Sequence, residues 1–393
     1  MQQEWLECLE EAIFHANPAY ELVLFDRLSP EQQRLLSALQ KDADFYGILR
    51  TRQGSELGIK SVDRDTALLF LTLQAPGRIP AYIKAQLGEQ YYKVIVALVL
   101  DKVLEMEHSG TFVSGLEAYE LLYAVQPLPM PQGTVARLSL EAVKYGQALA
   151  LYDSAKLSMR LYCYNRIPLT PYWQRKFPTT DAVAEHLGFR TYSSTTSLLR
   201  RHWTEITPAS NGWFAWSARH VQAEARTLHF IYKLYISPAC GFIRDAFQTV
   251  VEVLADTQAI DFKIGKDLSG LLRPDKLVVY FSSIEGCQDT AVLLKEKLAG
   301  LPAHGVPFTC EIADNGLLSW GIDPPAEEQI FNGQESESWR LWVTNRLATA
   351  LLIAKAGASD RVEAWQYALE RLRLDGVDTQ SWTPPQLSWQ TKL

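Results

Sequence analysis

Three prolines at alternate positions, in Gln126-Pro-Leu-Pro-Met-Pro-Gln-Gly133, constrain this chain more than any other feature. Proline lacks a backbone N–H and its ring clashes with the preceding turn, so no helix runs through this stretch. An extended connector is the conformation left to it. The break divides the 393 residues into a region 1–125, a linker 126–133 and a region 134–393, a length that suits two domains or one large domain with an extension.

Helical signals dominate ahead of the break. Ser29-Pro30-Glu31 offers a capping hydroxyl, a first-turn proline and an acid at the positive end of the helix dipole. Leu35, Leu36 and Leu39 follow at helical spacing. Residues 88–107 read as a helix with Val94, Ile95, Leu98 and Val99 on its apolar face, stopped at His108-Ser109-Gly110. Residues 111–123 give another helix.

Beyond the break the pattern changes. Helices are expected at 138–152, 181–187, 238–256, 288–298, 339–356 and 360–373. Strands are expected at 157–166, 212–218, 227–236, 260–264 and 276–282, where β-branched and aromatic residues concentrate. The two types mix without a regular βαβ repeat. The expected class is therefore α+β, a helical N-terminal region followed by a mixed, mainly antiparallel sheet flanked by helices.

A formal net charge of −7 argues against a nucleic-acid binder, which needs a broad basic surface. The acidic start MQQEWLECLEE has no signal-peptide pattern, and the aliphatic run 94–100 is too short to cross a bilayer. Five widely spaced cysteines with no CxxC suit reduced thiols. A cytoplasmic protein with no membrane partner is expected. There is no HExxH, no zinc-like Cys/His spacing, no GxGxxG and no GxSxG, and Gly265-Lys266-Asp267 lacks the rest of a phosphate loop. Neither metal nor cofactor is expected.

Residues 229–324 carry HFIYKLYISP, IDFKIGKD, RPDKLVVYF and VPFTCEIADNGLLSWGIDPP in that order, and LRLDGVDTQSWTPP closes the chain's last helical segment. Over roughly residues 145–385 this string of motifs resembles the HopA-type effector family. Relatives follow the Asp-Pro turn with Ser-Phe-Gly and then an arginine. Here the stretch reads Glu337-Ser-Trp-Arg-Leu-Trp342, without the glycine, and the arginine is Arg340 or Arg346. The resemblance implies a lyase that removes phosphate from phosphoserine or phosphothreonine by β-elimination. In relatives encoded beside peptide kinases, this chemistry leaves dehydroamino acids in ribosomal peptides of the lanthipeptide type. It further implies a phosphorylated peptide as substrate and a Ser/Thr peptide kinase as partner. The alternatives are a non-catalytic phosphopeptide- or protein-binding module and a secreted, effector-like interaction protein.

Elimination needs a base for the Cα proton, cations to receive the phosphate and a donor for the leaving oxygen. Strand alternation nominates residues for these tasks. In 261–265, Phe262 and Ile264 face the core while Asp261 and Lys263 face away; in 229–235, His229, Ile231, Lys233 and Tyr235 share a face. If the two strands pair, Lys263 and Lys233 lie side by side. Lys263 is the expected base and His229 the expected acid. Lys233, Arg273 and Arg340 are the expected phosphate ligands, with Asp275 and Tyr280 in support.

Overall fold

A computed structural model describes residues 9–41, 43–52, 59–88, 91–123, 130–190, 192–207, 212–219, 231–312, 315–325, 337–357 and 359–385. Residues 124–129, which include the first half of the proline-rich linker, lie outside the described residues.

The N-terminal region carries helices α1 (Pro30–Leu35), α2 (Arg64–Thr72), α3 (Ala81–Leu87), α4 (Tyr91–Leu100) and α5 (Gly115–Tyr123). The Ser29 hydroxyl caps α1 in a full capping box with Gln32, and Pro30 sits in its first turn. The region also holds short strands: β1 (Phe14–Ala16), β2 (Tyr20–Leu24), β3 (Phe45–Thr51), β4 (Lys60–Asp63), β5 (Leu104–His108) and β6 (Thr111–Val113). These form two antiparallel three-stranded sheets, ordered β1-β5-β6 and β2-β3-β4. The helix expected at 88–107 is therefore α4 followed by a strand. Its expected glycine stop is a hairpin turn instead. Ser109 (φ 53°) and Gly110 (φ 81°) both adopt positive φ between the paired His108 and Thr111, as a two-residue turn matched to strand twist requires.

The C-terminal region opens with α6 (Gly133–Ala148), α7 (Ser154–Tyr162), α8 (Pro171–Lys176), α9 (Thr180–Leu187) and α10 (Ser194–His202). The α7 segment corrects the strand expected at 157–166. Asp153 caps its first turn, Leu157 and Leu161 are buried one turn apart, and Ser158 hydrogen-bonds Thr344 at 3.0 Å. Helical spacing and tertiary contact outweigh the β-prone composition.

Strands β7 (Trp203–Ile206), β8 (Trp213–Ala218), β9 (Tyr232–Ile236), β10 (Asp261–Gly265), β11 (Leu277–Phe281), β12 (Cys310–Glu311) and β13 (Leu318–Ile322) form one sheet. Its order is β12-β13-β9-β11-β10-β8-β7, and all its pairings are antiparallel. Between its strands run α11 (Ile243–Leu254), the short α12 (Leu268–Leu271) and α13 (Ile284–Lys297); α14 (Trp339–Lys355) and α15 (Ala364–Leu374) follow.

One sheet face is dry. Phe262 is fully buried, stacked on Trp216 at 4.9 Å and edge-on to Trp203 at 4.7 Å, with Phe247 of α11 nearby. Burial of such a side chain contributes roughly 1.5–3 kcal/mol. The opposite face meets the start of α14, and that is where the polar residues gather. A single apolar core runs from the N-terminal strands into α14 and α15. Tyr367 donates to the Leu100 carbonyl and Arg371 grips Asp101 across the same boundary. Among the described residues, no helix is long and apolar enough to cross a membrane.

Candidate active site

Registers across the sheet assign each polar side chain to a face. One transverse line reads Gly321, Lys233, Tyr280, Asp261, Ser217, and a second reads Ser319, Tyr235, Val278, Lys263, Ala215. Because side chains alternate along a strand, both lines project from the face opposite Phe262. Lys233, Tyr235, Lys263 and Tyr280 thus share one face, as alternation predicts.

The expected pairing of the two lysine strands is not what forms. β11 runs between β9 and β10 and pairs with both. The Tyr280 ring therefore separates the lysines, with Lys233 Nζ 5.3 Å and Lys263 Nζ 5.4 Å from its centroid. Cations over an aromatic face are attracted by its quadrupole.

The lysines differ in their partners. Lys233 Nζ lies 2.5 Å from Asp323 Oδ2. The other Asp323 oxygen accepts from the Trp339 backbone N–H at 2.9 Å, so one carboxylate ties β9 to the first turn of α14. Lys263 has no hydrogen bond or ion pair among the described residues; its Nζ sits 4.5 Å over the Trp213 ring. Burial first, then the neighbouring Lys233 charge, lower its pKa to about 8.

Arg273 is fixed from several sides. Asp275 accepts from its Nε and Nη2, each at 2.8 Å, and Nη2 also donates to the Tyr162 hydroxyl at 3.0 Å. Trp213 and Tyr162 flank the guanidinium at 4.9 and 5.5 Å. Among the described residues Nη1 makes no hydrogen bond, and the side chain keeps 27% exposure, enough to meet a ligand. Burial works against the Asp275 carboxylate, but Arg340 and Arg273 outweigh it and hold the group well below the usual carboxylate range.

Arg340 is placed otherwise than expected. Its side chain is 1% exposed and directed at protein groups: Asp275 at 2.9 Å, the Pro307 carbonyl at 3.1 Å and the Tyr162 carbonyl at 2.8 Å. A guanidinium so committed supports Asp275 and has no free edge for a phosphate. Arg346 pairs with Glu337 and Asp375, apart from this cluster. His229 lies outside the described residues.

The structure thus brings Lys233, Lys263, Arg273, Asp275, Tyr280 and Arg340 together, and adds Tyr162, Trp213 and Asp323. Alternation from Ala215 would have put Trp213 on this face. Asp323, at a strand end before two prolines, was a visible candidate carboxylate. Tyr162 was hidden by the strand reading of its segment. Among the described residues, no group of three or more His, Cys, Asp or Glu is placed to hold a metal ion.

No family model and no curated protein matches the chain. Among solved structures, the effector protein from Pseudomonas syringae pv. tomato strain DC3000 is similar at 12% identity and a TM-score of 0.38, over 63% of this chain and 96% of that one. The effector protein from Pseudomonas syringae pv. syringae strain 61 is similar at 12% identity and a TM-score of 0.37, over 64% of this chain and 97% of its own. The type III effector and phosphothreonine lyase OspF from Shigella flexneri is similar at 15% identity and a TM-score of 0.27, over 33% and 76%. Likeness this distant establishes neither a shared fold nor a shared reaction. Any functional reading has to stand on the chemistry of the site.

Proposed function

We propose that the chain is a lyase that eliminates phosphate from phosphoserine or phosphothreonine in a peptide, leaving a dehydroamino acid. The observation that carries this reading is Lys263, a largely buried amine with no hydrogen bond or ion pair among the described residues, poised to lose its proton near pH 8. A structural lysine is normally paired or solvated; an unpaired desolvated amine is suited to accept a proton.

The neighbours supply the other requirements. Arg273 offers Nη1 and Lys233 its ammonium to the phosphate, whose charge rises as the Cβ–O bond breaks. Asp275, Tyr162 and Arg340 hold the Arg273 fork in place. Tyr280 keeps the two lysines apart. A kinase acting on Ser or Thr of the same peptide would supply the substrate.

Mass spectrometry of a phosphothreonine peptide incubated with the protein tests the reading. Loss of the elements of phosphoric acid is expected with the intact protein and not with Lys263→Ala. Tight binding of the peptide without any loss would replace the lyase with a phosphopeptide-binding module.

A further inference from the structure

Elimination leaves one task unassigned in this cluster, the proton for the departing bridging oxygen. We infer that Tyr235 is the general acid, acting across the substrate from Lys263. The inference rests on the lyase reading of the same site.

Three observations place it. Tyr235 and Lys263 stand in one transverse line on the site face, separated only by Val278 of β11. Two strand spacings put their backbones about 10 Å apart, a gap that two long side chains narrow to the size of a phosphothreonyl group. The Tyr235 ring is fixed, 3% exposed, in a small apolar cluster with Val278 and Val306 beside Tyr280. Its hydroxyl makes no hydrogen bond among the described residues. The charged and phenolic groups acting on it are Asp323, Arg340, Tyr162 and Asp275, whereas Arg273 shares the Trp213 ring with Lys263. Tyr280 is the rival donor, but both lysines lie over its ring, which suits a spacer better than a proton source.

The step balances without an oxidant or a cofactor. Neutral Lys263 takes the Cα proton, and the C–H electron pair becomes the Cα=Cβ bond. The Cβ–O bond breaks with its pair on oxygen, which takes the Tyr235 proton and leaves as hydrogen phosphate. The lysine ammonium and tyrosine phenolate that remain return to their starting forms by one proton transfer through solvent.

Burial, then Asp323, keep the Tyr235 phenol well above its ordinary pKa, so it holds its proton wherever Lys263 has lost its own. The pH profile of kcat/KM is therefore expected to rise through about 8 and then level. A histidine acid of ordinary pKa would instead level the profile above about 6.5 and bring it down above about 8.

The test is kinetic, on the full chain. Tyr235→Phe is expected to lower kcat by about 10²–10⁴-fold with KM nearly unchanged. With a thiophosphothreonine peptide, whose leaving group is a weaker base, the deficit should shrink by about tenfold or more, in keeping with Brønsted behaviour. A purely structural role would lower turnover of both peptides alike and would overturn the assignment. So would a falling limb above about pH 8, or a leaving-group-dependent loss found in Tyr280→Phe and not in Tyr235→Phe. Absence of turnover by the unmodified protein would remove the lyase reading itself and the inference with it; turnover that Tyr235→Phe leaves intact would remove the inference alone.

Discussion

Two clusters of buried or half-buried charge in this molecule are built on opposite terms. Where the N-terminal region meets α15, Asp101 receives both Nε and Nη2 of Arg371, at 2.8 and 2.7 Å, and Arg371 Nη1 goes to Asp375 at 2.7 Å. Burial pushes the Asp101 carboxyl up, but Arg371 and then Lys60 outweigh it and hold it below its ordinary value. Each nitrogen of Arg371 meets an acceptor, and the arrangement joins two parts of the chain. On the sheet face, Asp275 is matched as closely by Arg273 and Arg340, yet Lys263 beside them has no acceptor among the described residues. Removing a charge from water costs several kcal/mol unless a partner repays it. The first cluster repays that cost within the fold. The second leaves part of it outstanding, which the proposed reading assigns to an anionic ligand.

Substitutions can break this contrast. The largest effect is expected from Lys263→Met, which should reduce turnover by about 10²–10⁴-fold. It should leave the unfolding midpoint in urea unchanged or higher, because a desolvated charge is gone. Asp101→Ala should do the reverse. It leaves Arg371 with only its Asp375 pairing among the described residues and should cost about 3 kcal/mol of stability, the low end for breaking a buried pair, while folded molecules keep their turnover. If both substitutions cost stability alike, the contrast fails.

Smaller effects sharpen it. Arg273→Lys keeps the charge but loses the fork held by Asp275, and should weaken phosphopeptide binding by about tenfold in calorimetry, ~1.4 kcal/mol. The smallest signal is the pH dependence of stability. With Lys263 lowered to about 8, the folded state holds fewer protons than the unfolded state between that value and the ordinary lysine pKa of about 10.4. Stability from this group is therefore lowest below pH 8 and rises across that window. Denaturant titrations should show the rise in the unmodified protein and lose that share of it in Lys263→Met.

How much of this was legible in the sequence depended on the range of the interaction. Alternation placed Phe262 in the core and Lys263 on the polar face, since both follow from a local period of two. The same rule put Lys233 and Tyr235 together. Sequence order alone said nothing of β11 entering between β9 and β10, because strand neighbours are chosen by packing over the whole sheet. The position of Tyr280 between the lysines was hidden for that reason. Arg340 was visible as an arginine near the right turn. Its commitment to Asp275, Pro307 and Tyr162 depends on α7, whose β-prone residues masked a helix fixed by Asp153 and Thr344. The strands β1 to β6 escaped notice among stronger helical signals. Several are three to five residues long, too short for a period to declare itself.

Gly321 of β13 gives the fold a clearance rather than a contact. A β-carbon there would stand 2.4 Å from Trp339 Cδ1, and Lys233 is its register neighbour on β9. Trp339 is fully buried, its indole N–H held by the Phe308 carbonyl at 2.8 Å, so it cannot swing aside without losing that bond. The next residue along α14 is Arg340, which steadies Asp275, which in turn steadies Arg273. A single methyl on an inner strand would thus be handed through a helix, an arginine and a carboxylate to the Arg273 guanidinium.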